Sequence, residues 1–287
     1  MLAIVGTIPD PTVPVLDAPV ELADDSLRVF GRVVSPDRGT PALLAAASIA
    51  CRHLGLPLPH AFLVGDEGLG KGSRTLYRHL TETLPDRSFS SMVFHYLQPD
   101  VDWHNKVLLT ALSMTPPPTL IADAGFMYAA KMSGQAGEYA LFTPDAGELA
   151  FLADETAPHP FYTRGFILQD EGRVPELVGR AYVHDNAAAC LLVKGNTDYI
   201  ADRSGILATV TGPSEEAMEA MGGTGDTLTG MACALVEYGL TVAEASYVAA
   251  QANRYAGQLA APTPATQIGE LVRHIPAALK RAMDELT

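Results

Sequence analysis

Short apolar, β-branched runs alternate along the chain with longer alanine-rich segments, and turn residues separate most of them. The apolar runs predict strands at 28–34, 61–64, 91–97, 119–123, 139–142, 189–193, 199–202 and 206–210. The alanine-rich segments predict helices at 42–53, 73–84, 146–153, 174–186, 224–238, 242–261 and 266–286, and Pro276 is expected to kink or split the last of these. This alternation is typical of an α/β fold with a largely parallel sheet.

The first 27 residues contain four prolines, at positions 9, 11, 14 and 19, and we expect them to form an extended arm with little regular structure. No internal repeat and no linker-like segment divides the rest, so residues 28–287 are predicted to form a single domain. An arm of this kind often packs on a neighbouring subunit, and for that reason we expect a homo-oligomer.

Composition and charge exclude several classes of protein. Of 287 residues, 48% are hydrophobic and 18% charged, which indicates a folded chain. The 19 basic and 33 acidic residues leave a net charge of −14, which repels nucleic acid and anionic membrane surfaces. The longest apolar run, 42–51, is about half of a bilayer span, and no basic residue precedes Arg28 to form a secretory signal. We therefore expect a cytoplasmic protein whose three cysteines, Cys51, Cys190 and Cys233, are buried thiols rather than disulfides.

The segment MGGTGDTLTG at 221–230 places four glycines around the first turns of a predicted helix. Each interior glycine costs helix stability, so we infer that the backbone approaches a ligand closely. Free N–H groups and the helix dipole at a helix start form an anion site that suits a phosphoryl group. Asp226 in the first turn would then accept the proton of a substrate hydroxyl that attacks this group. The alternative is a plain helix-start residue. If Asp226 is the base, Asp226→Asn should cost the fold well under about 1 kcal/mol, because asparagine keeps the size and nearly all of the capping ability.

Lys194 ends the predicted apolar strand 189–193, and the turn Gly195, Asn196, Thr197 and Asp198 follows it. Ligand sites of open α/β sheets lie at the carboxyl ends of strands, which makes Lys194 a candidate for ligand binding. The alternative is an incidental lysine in a hairpin.

Asp145 and Glu148 have the spacing of a helix N-cap and its capping-box partner. Capping alone explains the pair. The functional alternative is that one of them, directly or through water, holds the Mg²⁺ that accompanies nucleotide phosphates.

The segment GDEGLGKGS at 65–73 follows a strand and nearly matches a P-loop. Gly72 stands where the Mg²⁺-binding hydroxyl residue belongs, and two acidic residues inside the loop would repel phosphates. We therefore assign Gly68 and Gly70 to the substrate side rather than to a P-loop. The histidines and cysteines lack zinc-binding spacing, and neither a GxSxG elbow nor a Rossmann GxGxxG motif is present.

Taken together, TPDAGE at 143–148, VKG at 193–195 and GGTGDTLTG at 222–230 resemble the ribokinase-like superfamily and, within it, the ADP- or ATP-dependent NAD(P)H-hydrate dehydratases. The resemblance implies a three-layer α/β/α sandwich with a mostly parallel central sheet. It also implies an enzyme that phosphorylates the hydroxyl of hydrated NADH or NADPH (NADHX or NADPHX) with ADP or ATP and Mg²⁺, then eliminates phosphate.

The same resemblance implies roles for particular residues. Asp226 would be the base, and Gly223, Thr224 and Gly225 would form the anion hole. The remaining roles are nucleotide contacts at Lys194, Gly195, Asn196, Thr197, Asp198, Gly222 and Gly225, substrate contacts at Gly68, Gly70, Asp145 and Asp226, and a metal contact at Glu148.

Several positions depart from the dehydratase pattern. Asp145 stands where those enzymes usually have histidine, and DEGLG at 66–70, DAG at 123–125 and SEEAMEA at 214–220 replace GPGLG, DAD and an Asn-Pro-Gly stretch. These changes leave two alternatives open. One is a small-molecule kinase of the superfamily that acts on a vitamin precursor or a sugar. The other is a non-catalytic nucleotide-binding or assembly module, for which Glu215, Glu216 and Glu219 are the motive.

Overall fold

The protein is described from a computed structural model that covers residues 1–23, 26–157, 171–263 and 265–286. Within these ranges eleven strands form one sheet in the order β11-β10-β9-β8-β7-β6-β1-β5-β2-β3-β4. The strands are β1 Leu2–Ile8, β2 Leu16–Ala23, β3 Ser26–Val29, β4 Arg32–Val33, β5 His60–Gly65, β6 Ser91–His95, β7 Thr119–Ala122, β8 Leu141–Phe142, β9 Cys190–Val193, β10 Asp198–Asp202 and β11 Gly205–Val210. The six strands from β9 to β5 are parallel, and antiparallel strands extend both edges.

Helices cover both faces of the sheet. They are α1 Thr40–His53, α2 Lys71–Thr83, α3 Val101–Leu112, α4 Gly125–Met132, α5 Ala146–Ala153, α6 Val174–Val183, α7 Thr224–Tyr238, α8 Val242–Ala260, α9 Ile268–Val272 and α10 Ile275–Asp284. Side chains alternate between the faces of a strand, so Leu2 and Ile4 pack with α1 and α7 to α10, whereas Ala3 and Val5 pack with α2 to α6. The predicted three-layer α/β/α sandwich is confirmed.

The expectation that the first 27 residues form an arm with little regular structure is wrong. Residues Leu2–Ile8 form β1, which lies between β5 and β6 in the middle of the sheet, and Leu16–Ala23 form β2 beside β5. The apolar run LAIVGTI is a parallel strand whose first five residues are buried, and Pro9, Pro11 and Pro14 lie in the connection that follows it. The expected homo-oligomer was argued from this arm, so that argument no longer holds and the homo-oligomer stays a prediction.

Three other differences from the predicted elements have local causes. The predicted strand 28–34 is a hairpin of β3 and β4, because Phe30 and Gly31 both have positive φ and reverse the chain. Helices α3 and α4 are present in the structure but were not predicted from the sequence pattern. The predicted helix 266–286 is split into α9 and α10, with Pro276 in the first turn of α10, as expected from a proline that cannot continue a helix. The remaining predicted elements are present within three residues at each end.

The packing of α7 on α1 explains one glycine of the glycine-rich turn. A Cβ on Gly230 would lie 2.4 Å from the carbonyl oxygen of Leu43, so only glycine lets the two helices come this close. Gly230 therefore serves helix packing, whereas the sequence led us to expect that the glycines face a ligand. The pairing brings the first turn of α7 to the carboxyl ends of the parallel strands, where ligand sites of α/β sheets form.

The three cysteines are buried and unpaired, as expected. In the described ranges no helix has both the length and the apolar character needed to cross a bilayer.

Candidate functional site

The glycine turn before α7 exposes backbone N–H groups at the edge of the sheet. Gly223 is the N-cap, has a φ of +104° and offers no side chain to the N–H groups of the first turn. A Cβ there would also lie 3.1 Å from Cγ1 of Ile268 and 3.3 Å from Cβ of Ala42. Backbone conformation and neighbours both require glycine, and the N–H groups of this turn remain available to an anion.

Asp226 lies in the first turn of α7, with only 8% of its surface exposed. Its Oδ2 accepts a hydrogen bond of 2.6 Å from the backbone N–H of Gly39, and its Oδ1 lies 3.1 Å from Nε2 of His95. Burial by itself would raise the pKa of Asp226, but the His95 hydrogen bond and the charges of His95 and Lys194 outweigh burial and lower it. Asp226 is thus held as a carboxylate in a fixed orientation.

His95 is a site residue that the sequence patterns did not reveal. It ends β6, is fully buried, and has its Nδ1 3.0 Å from Oγ1 of Thr40. An ionised Asp226 can only accept, so Nε2 of His95 donates the hydrogen bond that joins the two side chains. The available signal was its position at the carboxyl end of an apolar strand, the same signal that singled out Lys194.

Lys194 forms a buried ion pair beneath the glycine turn. Its Nζ lies 3.0 Å from both carboxylate oxygens of Asp123, and Thr229 Oγ1 donates to Asp123 Oδ2 over 2.7 Å. Burial would lower the pKa of Lys194, but the carboxylates of Asp123, Glu148 and Asp226 raise it, so the ammonium stays charged. The chain of Lys194 passes beside Gly225, where a Cβ would lie 3.4 Å from its Cδ.

The turn after Lys194 lies outside the cavity described below. Gly195 and Asn196 are exposed and Thr197 is half-buried. Asp198 is buried, with one carboxylate oxygen accepting from the Gly195 N–H and the other 2.8 Å from Nε of Arg254. The geometry therefore makes Asp198 the residue that shapes this turn.

Asp145 and Glu148 form a reciprocal capping box at the start of α5. Asp145 Oδ1 accepts from the Glu148 N–H over 2.7 Å, and Glu148 Oε2 accepts from the Asp145 N–H over 2.9 Å. Both side chains also face the cavity. Burial and the charges of Asp123 and Asp145 raise the pKa of Glu148 to about 8, against the opposing charge of Lys194.

The loop that resembles a P-loop is closed by its own aspartate. Asp66 accepts hydrogen bonds from the N–H groups of Gly68, Leu69, Gly70 and Ser73 and from the Ser73 hydroxyl, all between 2.8 and 3.1 Å. A P-loop would offer groups of this kind to phosphate, and here they are already bonded to Asp66. This geometry supports the decision against a P-loop.

A cavity of about 990 Å³ opens among these elements, near the upper end of the range for small-molecule sites. The predicted residues that line it are Gly68, Asp145, Glu148, Gly222, Gly223 and Asp226. Tyr96 and Arg38 line it as well, although the sequence analysis singled out neither. Tyr96 has a φ of +51°, a strained backbone for a non-glycine residue, and its carbonyl oxygen accepts from the Thr7 hydroxyl.

Two groups of side chains carry donor atoms of the kind that bind a divalent cation. His95, Asp123 and Asp226 have ligand atoms within 4.8 Å of one another, but the Lys194 ammonium already lies against Asp123 and would repel a second cation. Asp145 and Glu148 face the open cavity with carboxylate oxygens, the donors that Mg²⁺ prefers. The residues present therefore fit Mg²⁺ on the Glu148 side.

Comparison with known proteins gives two relatives in sequence and one similar solved structure. A protein of Methanocaldococcus jannaschii described as uncharacterized is 39% identical over 220 residues, which is 76% of this chain and 90% of the relative. A Cenarchaeum symbiosum protein named ADP-dependent (S)-NAD(P)H-hydrate dehydratase is 30% identical over 155 residues, 54% of this chain and 48% of that protein. The structure is also similar to the ADP/ATP-dependent NAD(P)H-hydrate dehydratase of Bacillus subtilis co-crystallised with ATP and Mg²⁺, with a TM-score of 0.58, 17% identity, and 98% and 89% of the two chains covered.

The last of these likenesses bears on the fold alone, which is ribokinase-like. The family profile of the NAD(P)H-hydrate dehydratases (Carb_kinase) matches residues 99–279, which include Asp123, Glu148, Lys194 and Asp226 but not the loop at 66–70. The match covers well over half of the chain. This chain belongs to the NAD(P)H-hydrate dehydratase family.

Proposed function

We propose that this protein restores NADH or NADPH from the hydrated forms by phosphorylating the ring hydroxyl with ADP or ATP and eliminating phosphate. The observation that carries the proposal is Asp226, an oriented carboxylate in the first turn of α7 that faces a cavity of about 990 Å³. A base and open helix N–H groups side by side suit the transfer of a phosphoryl group to a hydroxyl.

In the proposed first step, the substrate hydroxyl oxygen attacks the terminal phosphorus and the bond from that phosphorus to the nucleotide oxygen breaks. Asp226 takes the hydroxyl proton, while Gly39 and His95 keep its carboxylate in place. N–H groups of Gly223, Thr224 and Gly225 stabilise charge on the transferred group. In the second step the bond from the ring carbon to the ester oxygen breaks and inorganic phosphate leaves, while the neighbouring ring carbon loses a proton and the double bond of the reduced nicotinamide is restored.

Glu148, with Asp145 beside it, would hold Mg²⁺, which when bound offsets phosphate charge. Residues 194–198 were expected to contact the nucleotide, but two of them, Lys194 and Asp198, would act on it only through neighbouring residues. Lys194 supports the glycine turn through Asp123, and Asp198 shapes the loop through Arg254. Gly195, Asn196 and Thr197 remain proposed contacts for the outer part of the nucleotide.

The test is to incubate purified protein with hydrated NADH, Mg²⁺ and either ADP or ATP, and to follow absorbance of the reduced nicotinamide together with phosphate release. We expect both to rise in equal amounts with at least one nucleotide, and neither to rise without nucleotide. Asp226→Asn serves as the matched inactive control. No recovery of NADH with either nucleotide would exclude the proposed activity.

A small-molecule kinase is the second candidate, and the substrate side of the cavity favours it. Asp66 takes up the N–H groups of its loop, and Asp145 stands where the dehydratases usually have histidine, so the ligand contacted there differs from theirs. Nucleotide consumption that yields a stable phosphorylated product would select this function.

The argument for a non-catalytic module, which rests on three glutamates, is weaker than the sequence suggested. Glu216 and Glu219 are exposed and Glu215 is half-buried, and these residues lie outside the cavity lining. Thermal unfolding with AMP, ADP and ATP, each with and without Mg²⁺, tests this alternative. A ligand at 100 times its Kd stabilises by about 2.7 kcal/mol, so the absence of any shift would favour the module over both enzymes.

A further inference from the structure

The charge of the cavity lining is strongly unbalanced. Five acidic residues line it, namely Asp66, Glu67, Asp145, Glu148 and Asp226. Among the lining residues in the described ranges, Arg38 carries the one cationic side chain. A phosphate-bearing ligand that enters such a cavity meets mostly repulsive charges, so the position of this cation decides where a phosphoryl group is most favourable.

Arg38 lies over the glycine turn of α7. A Cβ placed on Gly222 would lie 3.7 Å from both Cβ and Cδ of Arg38. A Cβ placed on Gly223 would lie 3.4 Å from Cα of Arg38. The next residue, Gly39, donates its N–H to Asp226. The backbone at Arg38 is thus fixed against both the N-terminus of α7 and the carboxylate in its first turn.

The guanidinium of Arg38 is available for a ligand. The residue is exposed, and no hydrogen bond or ion pair joins its side chain to another described residue. Lys194 cannot take this role, because its ammonium is held beneath the turn by Asp123. A guanidinium in this position can donate two parallel hydrogen bonds to phosphate oxygens.

We propose that Arg38 binds the terminal phosphoryl group of the nucleotide that is transferred at α7, a specificity role that rests on the proposed function. Arg38 then approaches the phosphoryl group from the side of the 35–39 segment, while the N–H groups of α7 approach it from below. The positive charge also offsets the repulsion between Asp226 and the phosphate before the reaction begins. The consequence is that affinity should depend on Arg38 for nucleotides with a terminal phosphate beyond the first.

The experiment compares wild type, Arg38→Gln and Arg38→Lys by calorimetric titration with ATP, ADP, AMP and NADH in the presence of Mg²⁺. Arg78→Gln is the matched control, since Arg78 is an exposed arginine on α2 outside the cavity lining. We expect Arg38→Gln to weaken ATP or ADP binding roughly 10- to 100-fold, the range for a charge-assisted hydrogen bond. AMP and NADH should change less than about threefold, Arg38→Lys should lose less than Arg38→Gln, and Arg78→Gln should match wild type.

Two results would overturn the proposal. Unchanged ATP and ADP affinity in Arg38→Gln excludes any phosphate role for Arg38. An equal loss for AMP or NADH assigns Arg38 to a phosphate of the dinucleotide or to the first phosphate of the nucleotide, and so rejects the terminal phosphoryl group. Thermal unfolding of each variant verifies that the fold is kept.

The same titrations separate this proposal from the dehydratase activity. If Arg38→Gln weakens ATP binding while wild type regenerates no NADH, then Arg38 keeps its role and the dehydratase is excluded. If wild type regenerates NADH and Arg38→Gln does so with unchanged nucleotide affinity, the dehydratase stands and the role of Arg38 fails. A wild-type protein that binds none of the nucleotides overturns both.

Discussion

The backbone N–H of Gly39 donates to Oδ2 of Asp226 over 2.6 Å, although 187 positions separate the two residues in the chain. The segment before α1 therefore orients the carboxylate at the start of α7. Asp226 does not act as a cap on its own helix, which is how an aspartate in the first turn would otherwise be interpreted. Both carboxylate oxygens are engaged by groups outside α7, Gly39 and His95.

Asp226→Asn should abolish most turnover and should also destabilise the fold. Asparagine places an NH₂ group where one oxygen accepts, so either Gly39 or His95 loses its acceptor, at a cost of about 1–3 kcal/mol. This cost exceeds the value below 1 kcal/mol expected of a helix cap. Turnover should fall roughly 10²- to 10⁴-fold with loss of the proton acceptor.

Nucleotide affinity in Asp226→Asn should be kept or slightly improved, because the carboxylate repels phosphate before the hydroxyl attacks. Urea unfolding, calorimetry and steady-state kinetics measure the three quantities. Asp102→Asn, an exposed change in α3, is the control. Full turnover in Asp226→Asn would show that Asp226 is not the base.

Glu148→Gln should remove most of the Mg²⁺ dependence of nucleotide binding. Glutamine still accepts from the Asp145 N–H, so the capping box and α5 should persist while the carboxylate that would bind the cation is removed. ATP titrations with Mg²⁺ and with a chelator measure the gain in affinity that Mg²⁺ provides. Glu67→Gln, an exposed carboxylate at the cavity, is the matched control. If Mg²⁺ raises affinity equally in Glu148→Gln and wild type, Glu148 is not on the metal side.

Lys194→Met should destabilise the protein by about 3–5 kcal/mol, because it leaves the buried Asp123 without its cation. The double change with Asp123→Asn should recover part of this loss, since it removes the unpaired charge. Lys106→Met breaks an exposed pair with Asp102 and should cost less than about 1 kcal/mol. Urea unfolding of wild type and of these three variants is the measurement. Equal losses for Lys194→Met and Lys106→Met would show that the buried pair does not stabilise the fold.

Asp66 should contribute to loss of stability in acid. Burial would raise its pKa, but the hydrogen bonds from Ser73, Gly70 and Gly68 outweigh burial and lower it. The pKa of Asp66 is therefore lower in the folded protein than in the unfolded chain, where it is about 3.9. The contribution of Asp66 to stability is complete above about pH 3.9 and is lost as the pH falls through the folded pKa. In thermal unfolding between pH 7 and about pH 2.5, Asp66→Asn should therefore lose less stability than wild type as the pH falls. Parallel acid limbs for Asp66→Asn and wild type would contradict this account.

Gly223→Ala should weaken both the fold and the anion site. Its φ of +104° is unfavourable for alanine, and the added Cβ would contact Ile268 and Ala42, so we expect a loss of about 1–3 kcal/mol. Any shift of the turn moves the N–H groups of α7, and ATP affinity should fall with it. Gly179→Ala in α6 meets no atom within 4 Å and should stabilise by about 0.4–1 kcal/mol. A Gly223→Ala variant as stable as Gly179→Ala would show that the turn can adapt.

The sequence by itself determined the features that depend on neighbours along the chain. Helix α5 begins where Asp145 and Glu148 form a capping box, α7 begins after Gly223, and both were predicted with the observed bounds. The alternation of apolar and alanine-rich segments was sufficient for the α/β class. Local signals of this kind survive in the tertiary structure because the interactions that produce them span only a few residues.

Only the tertiary structure decided which distant segments meet. The prolines suggested an arm, yet Leu2–Ile8 is the central strand, because a parallel strand gains its partners from β5 and β6, far along the chain. Gly39 and His95 contact Asp226, and Arg38 lines the same cavity, without any shared motif or spacing. Their roles arise because parallel strands end on one edge of the sheet and because Gly230 lets α7 lie against α1, two consequences of packing that no local pattern encodes.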